Sequence, residues 1–189
     1  MGPRTATATA ATVLLLTGLA LAACGTRTET GGPAAEVSPA NARVSACTAG
    51  TTAVRFLAAA VHATASQPAV ARVELTNTSG APCRLTGATT LTARDDQGKA
   101  APVEADNSAA GTEAVELRGG TTAVAEVRYT DLNVEGTPSA REVCPVQASR
   151  VQVALPDDVA RTVEVTTADG TPAVFSVCGD GVRFGAFRT

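Results

Sequence analysis

The 189-residue chain has no tryptophan, one tyrosine and four phenylalanines. Sugar-binding surfaces commonly rest on exposed aromatic rings, so carbohydrate binding has little to build on here. Histidine is just as scarce. His62 alone could serve as an imidazole base, and it sits among Ala and Thr in AVHATA, where it reads as a surface or structural residue of a strand. No G-x-S-x-G, no H-E-x-x-H and no glycine-rich phosphate loop opening a helix occurs. No C-x-x-C occurs either, which removes the usual dithiol redox motif. Basic residues number 15 against 18 acidic ones, for a formal net charge of -3, and they form no block. Nucleic-acid binding and a polybasic membrane patch are therefore not expected. Together these absences predict a protein that is not an enzyme and needs no resident cofactor.

What is present begins at the N-terminus. Arg4 supplies a positive charge, Val13 to Ala22 an apolar stretch, and Ala22 and Ala23 small residues ahead of a break, the three parts of an export signal. The apolar stretch is short for a bilayer span. Its end, Leu21-Ala22-Ala23-Cys24, resembles a bacterial lipobox, in which the Cys24 thiol becomes a thioether to diacylglycerol and the signal is cut before it. Each buried methylene of an acyl chain contributes about 0.8 kcal/mol, so two chains anchor stably where one is marginal. Residues 1–23 are thus expected to be a cleaved signal, and 24–46 a lipidated cysteine with a Gly/Pro/Ala/Thr-rich tether too poor in apolar periodicity to fold. A flexible tether of this length reaches roughly 25 Å on average. The expected location is the extracytoplasmic face of the cell membrane, held by lipid.

Five cysteines, Cys24, Cys47, Cys83, Cys144 and Cys178, are an odd number for an exported chain. With Cys24 given to lipid, four remain, an even set suited to bridges outside the cytoplasm. Three pairings are open to four cysteines. Pairing in chain order, Cys47 with Cys83 and Cys144 with Cys178, is the expectation, each closing a loop that the chain-entropy model values at roughly 3 to 4 kcal/mol.

From Cys47 to Thr189 the dominant signal is alternation. Ala71, Val73 and Leu75 share one face of a strand; Ala123, Ala125, Val127 and Tyr129 share another; Val151, Val153 and Leu155, then Val163 and Val165, repeat the pattern. Turn signals separate these runs at Asn77 to Gly80, Asp95 to Gly98, Arg118 to Gly120, Leu155 to Asp158 and Ala168 to Gly170. Hydrophobic residues make up 44% of the chain, mostly Ala and Val, a composition that suits a β core. The fold class expected is all-β: an immunoglobulin-like antiparallel sandwich of about seven to ten strands stapled by two disulfides. Phe56 to Ala60, the one run of good helix formers, is too short to assign.

These residues also resemble the actinobacterial lipoproteins that carry the domain of unknown function 4232. The resemblance rests on LTNTSGAPCRLTG (Leu75 to Gly87), the acidic turn Asp95-Asp96-Gln97-Gly98, Leu117 and Gly120 before the Ala-rich strand, Cys144 ahead of a strand ending in Leu155-Pro156, and Val177-Cys178-Gly179. It covers Cys47 to Phe187 and implies an immunoglobulin-like sandwich on an exported lipoprotein. Because that family has no assigned activity, it supplies no catalytic residues.

One loop has metal-ligand spacing. In DLNVEGTPSARE, oxygen donors Asp131, Asn133 and Glu135 fall at positions 1, 3 and 5, Gly136 at 6 and Glu142 at 12, the order of a calcium loop. The simpler reading is a polar connection from the Tyr129 strand to Cys144, and calcium ligation by Asp131, Asn133, Glu135 and Glu142 stands as the alternative. Asn77-Thr78-Ser79 matches an N-glycosylation acceptor but is better explained as a hairpin turn. The functional expectation is a non-catalytic binding or structural module, its partner an envelope protein or small envelope ligand; a calcium-dependent adhesion domain and an envelope hydrolase are the alternatives. The hydrolase would require His62 in a pocket with a carboxylate in hydrogen-bond reach.

Overall fold

The two longest alternating runs of the sequence become neighbouring strands at the heart of the largest sheet. The structure, a computed structural model, describes residues 43–132, 140–179 and 181–189, all within one compact unit. The export signal, Cys24 and most of the expected tether lie outside the described residues. Described strands are β1 (Ser45–Ala46), β2 (Thr52–Leu57), β3 (Ala69–Asn77), β4 (Cys83–Leu85), β5 (Thr90–Ala93), β6 (Val103–Glu104) and β7 (Val115–Leu117). They continue with β8 (Thr122–Tyr129), β9 (Val146–Ala148), β10 (Arg150–Ala154), β11 (Arg161–Thr166), β12 (Phe175–Val177) and β13 (Arg183–Phe184). One helical turn, α1 (Ala140–Val143), precedes Cys144. No helix among the described residues is long and apolar enough to cross a membrane.

Eight strands form one sheet in the order β13-β8-β3-β2-β11-β10-β5-β6, three form a second, β1-β4-β7, and β12 pairs with β9. The chain is an all-β sandwich with thirteen described strands rather than seven to ten. Three of them, β1, β6 and β13, have two residues each and so carry no periodicity to read. A fourth arises because one extended run changes partners at Ser149: β9 pairs with β12, while β10 pairs with β5 and β11. Two contacts, β1 with β4 and β2 with β11, are parallel, where an antiparallel arrangement is expected from the sequence. The expected tether also ends too late. Ser45 and Ala46 already pair with Cys83 and Arg84, drawn onto the sheet beside the Cys47 bridge.

Register explains why the core needs so few large residues. Across β3 and β8 the inward pairs are Ala69 with Tyr129, Ala71 with Val127, Val73 with Ala125 and Leu75 with Ala123. Every pair sets one alanine against one larger side chain, so the inner face stays level and close-packed. All eight of these residues are buried. Phe175 of β12 covers this face, its ring 5.0 Å from Phe56 of β2 and 4.5 Å from Tyr129. Phe184 and Phe187 pair at 5.7 Å, which leaves none of the five aromatic residues exposed. A buried Val, Leu or Phe contributes about 1.5 to 3 kcal/mol relative to exposure.

The cysteines pair as Cys47–Cys83 and Cys144–Cys178. Both bridges staple hydrogen-bonded neighbours rather than crossing the core. Cys47 follows β1 beside β4, and Cys144 and Cys178 flank the Val146–Val177 end of the β9–β12 pair.

Candidate functional site

Among the described residues, two places gather chargeable side chains that could serve a ligand or a reaction. The first is the loop end beyond β2 and β8. His62 lies in the irregular connection from β2 to β3, not in a strand as its apolar neighbours suggest; AVHATASQP has no alternation, and Pro68 closes the segment. Its Nδ1 lies 3.0 Å from Oδ2 of the buried Asp131, which follows β8 by two residues. The backbone completes the clamp: Ala63 N–H donates to the Asp131 carbonyl at 2.9 Å, and Leu132 N–H donates to Cys178 Sγ at 3.2 Å. His62 and the Cys144–Cys178 bridge therefore hold the start of the 131 loop from two sides. Burial pushes the Tyr129 phenol above its ordinary value, and the Asp131 carboxylate raises it further by opposing a second negative charge; a backbone hydrogen bond with Ala59 works the other way.

A carboxylate orienting an imidazole is half of an acid–base set. Among the described residues, no hydroxyl or thiol hydrogen-bonds the free ring nitrogen, and the ring is 39% exposed. Of the four calcium-loop candidates, Asn133 and Glu135 lie outside the described residues. Asp131 engages His62, and Glu142 is exposed on α1. Among the described residues no three His, Cys, Asp or Glu side chains converge to hold a metal.

The acidic turns are structural. Asp95 Oδ2 accepts from Lys99 N–H at 3.0 Å, and Asp96 accepts from Ser149 N–H at 2.9 Å, fixing the strand where it changes sheets. Asp158 accepts from Ala49 N–H. Asn77 is equally committed. It is fully buried, its Nδ2 donates to the carbonyls of Ala81 and Leu117, and its Oδ1 accepts from the N–H and the hydroxyl of Ser79. An amide so engaged has no nitrogen to offer a sugar.

The second place is the solvent face of β3, β8 and β13, and no motif in the linear sequence marks it. Arg72, Arg128 and the neighbouring Arg183 and Arg188 come from three distant parts of the chain but line one groove of about 530 Å³ with Glu126. Arg183 lies directly across from Arg128, and Arg72 across from Glu126. The Glu126 carboxylate turns to Arg128, accepting from Nη2 at 2.9 Å and Nε at 3.3 Å. Asp106 faces Arg183; its carboxyl is held below the ordinary value first by hydrogen bonds from Ser108 and less by Arg183. Among the described residues, Arg72 and Arg188 form no ion pair. The alternation that hides Val127 and Tyr129 turns Glu126 and Arg128 outward, and that was the signal available in the sequence.

Compared with known proteins, residues 47–188 match one family model, described as a domain of unknown function, DUF4232. No curated protein and no solved structure matches the chain.

Proposed function

The chain belongs to the DUF4232 family of domains of unknown function, and from that premise we propose that it is an exported lipoprotein whose β-sandwich is a non-catalytic binding module. On this reading Cys24 carries diacylglycerol, residues 1–23 are removed, and the sandwich is displayed on the extracytoplasmic face of the cell membrane toward an envelope protein or small envelope ligand. The observation that carries the reading is the fate of the cysteines. Four of the five are used in two disulfides, which suits an oxidising compartment, and the one left over is the cysteine of the lipobox-like Leu21-Ala22-Ala23-Cys24. Alkyne-palmitate labelling of cells, followed by membrane fractionation, tests it. Wild type incorporates label and pellets with membranes, and Cys24→Ser incorporates none. A labelled Cys24→Ser protein would overturn it.

A second reading, an envelope hydrolase, is favoured by the His62–Asp131 contact alone. Ester or amide turnover by the purified protein, abolished by His62→Asn with folding intact, would establish it; no turnover above buffer removes it.

A further inference from the structure

We propose that the solvent face of β3, β8 and β13 is a binding groove for an oligophosphate, a ligand with several phosphate groups strung in a line. The proposal deepens the binding-module reading, on which it rests, by naming a ligand class; it does not depend on the lipid at Cys24.

Arg183 and Arg128 are direct cross-strand partners. Like charges directly opposite each other destabilise a strand pair, and β13 is a two-residue strand with little pairing to offset that cost. A local rule broken on an otherwise consistent sheet is where function is to be sought. Glu126 neutralises Arg128 and Asp106 faces Arg183, so the face keeps an excess of positive charge on a chain whose net charge is -3.

Positions along the strands set the ligand's shape. Arg188 is bridged to Val124, four residues along β8 from Arg128, which separates the two basic ends of the groove by roughly 13 Å. Arg72 stands between them on the neighbouring strand. A single phosphate can engage one end, whereas a phosphate chain reaches both. Guanidinium forks match phosphate oxygens two at a time.

The backbone beneath is fixed in advance. Val124 and Arg188 exchange hydrogen bonds at 2.8 and 2.9 Å, and Gly185 N–H donates to the Glu126 carbonyl at 2.8 Å. Gly185 lets β13 come this close, since a Cβ there would stand 3.2 Å from the same carbonyl. Such preorganisation lowers the cost of ordering the site on binding.

Calorimetric titration of the full-length protein in nonionic detergent with sodium tripolyphosphate tests the proposal. One saturable site is expected, weakened at least about fivefold by Arg183→Ser and by Arg188→Ser and several-fold tightened by Glu126→Gln, with stronger binding at low salt. Inorganic phosphate and hexaglutamate should each bind about tenfold more weakly than tripolyphosphate, the first because it cannot span the groove and the second because carboxylates carry less charge per group. A gain in Glu126→Gln cannot come from misfolding. No heat at millimolar tripolyphosphate, binding indifferent to all three substitutions, or hexaglutamate binding as tightly as tripolyphosphate would each overturn it. Palmitate labelling at Cys24 reads the anchor separately, so failure of one leaves the other measurable.

Discussion

The Asn77 side chain ties the two main sheets together: from the end of β3 its Nδ2 donates 2.8 Å to the carbonyl of Leu117 on β7. The same amide holds the 77–81 turn through Ala81 and Ser79. Asn77→Ala would strand the buried Leu117 carbonyl and release the turn, with an expected loss of about 1 to 3 kcal/mol in urea unfolding. Asn77→Asp should do no better, since a carboxylate would face both carbonyls. Asn77→Ala unfolding at the wild-type midpoint would contradict this role.

Gly119 closes the same junction from the other side. A Cβ on it would lie 2.6 Å from the Ser79 carbonyl oxygen, a backbone atom that cannot swing away. Gly119→Ala is expected to lower stability by about 2 kcal/mol or more, by forcing the 77–81 turn off the β7–β8 connection. Thermal melts of this variant against a Gly50→Ala control, where a Cβ would meet only Thr48 Oγ1 at 3.8 Å, separate the clash from glycine's general effect, because neither glycine has positive φ.

Tyr129 is the only tyrosine in the chain, so the tyrosinate absorption band reports it alone. Burial and the Asp131 carboxylate raise its pKa above the ordinary 10.0, which means the unfolded chain ionises first as pH rises. The stability that this difference provides is complete below pH 10.0 and is lost progressively above it, toward the raised folded value. In a rapid pH jump to about 11 the native protein should show little tyrosinate while the urea-unfolded protein shows about nine-tenths. Equal absorbance in both would place the phenol in water, against the packing described.

The strands with alternation were legible in the sequence because alternation is itself the consequence of one buried face. Val73, Leu75, Val127, Val151 and Val165 are all where that pattern puts them. Turn residues were legible for a related reason: Asp95, Asp96 and Asn77 do local hydrogen-bonding work that short polar side chains are suited to. The parallel pairing of β2 with β11 was not, since register between distant strands is written in shape rather than in pattern. His62 lies in a connection rather than in the strand its apolar neighbours suggest, and its contact with Asp131, 69 residues away, has no local signature. The arginine face matches no sequence motif for the same reason: Arg72, Arg128, Arg183 and Arg188 converge only when β3, β8 and β13 are side by side.

On the proposed reading Cys24 carries lipid, while the other four cysteines pair with each other. Intact-mass measurement of the protein extracted from membranes, alkylated before and after reduction, tests it in one experiment. The expected species is a chain that begins at Cys24 with the added mass of a diacylglyceryl group, takes up no alkyl groups before reduction and takes up four after it. A chain that retains residues 1–23, with Cys24 alkylated as a free thiol, would contradict it.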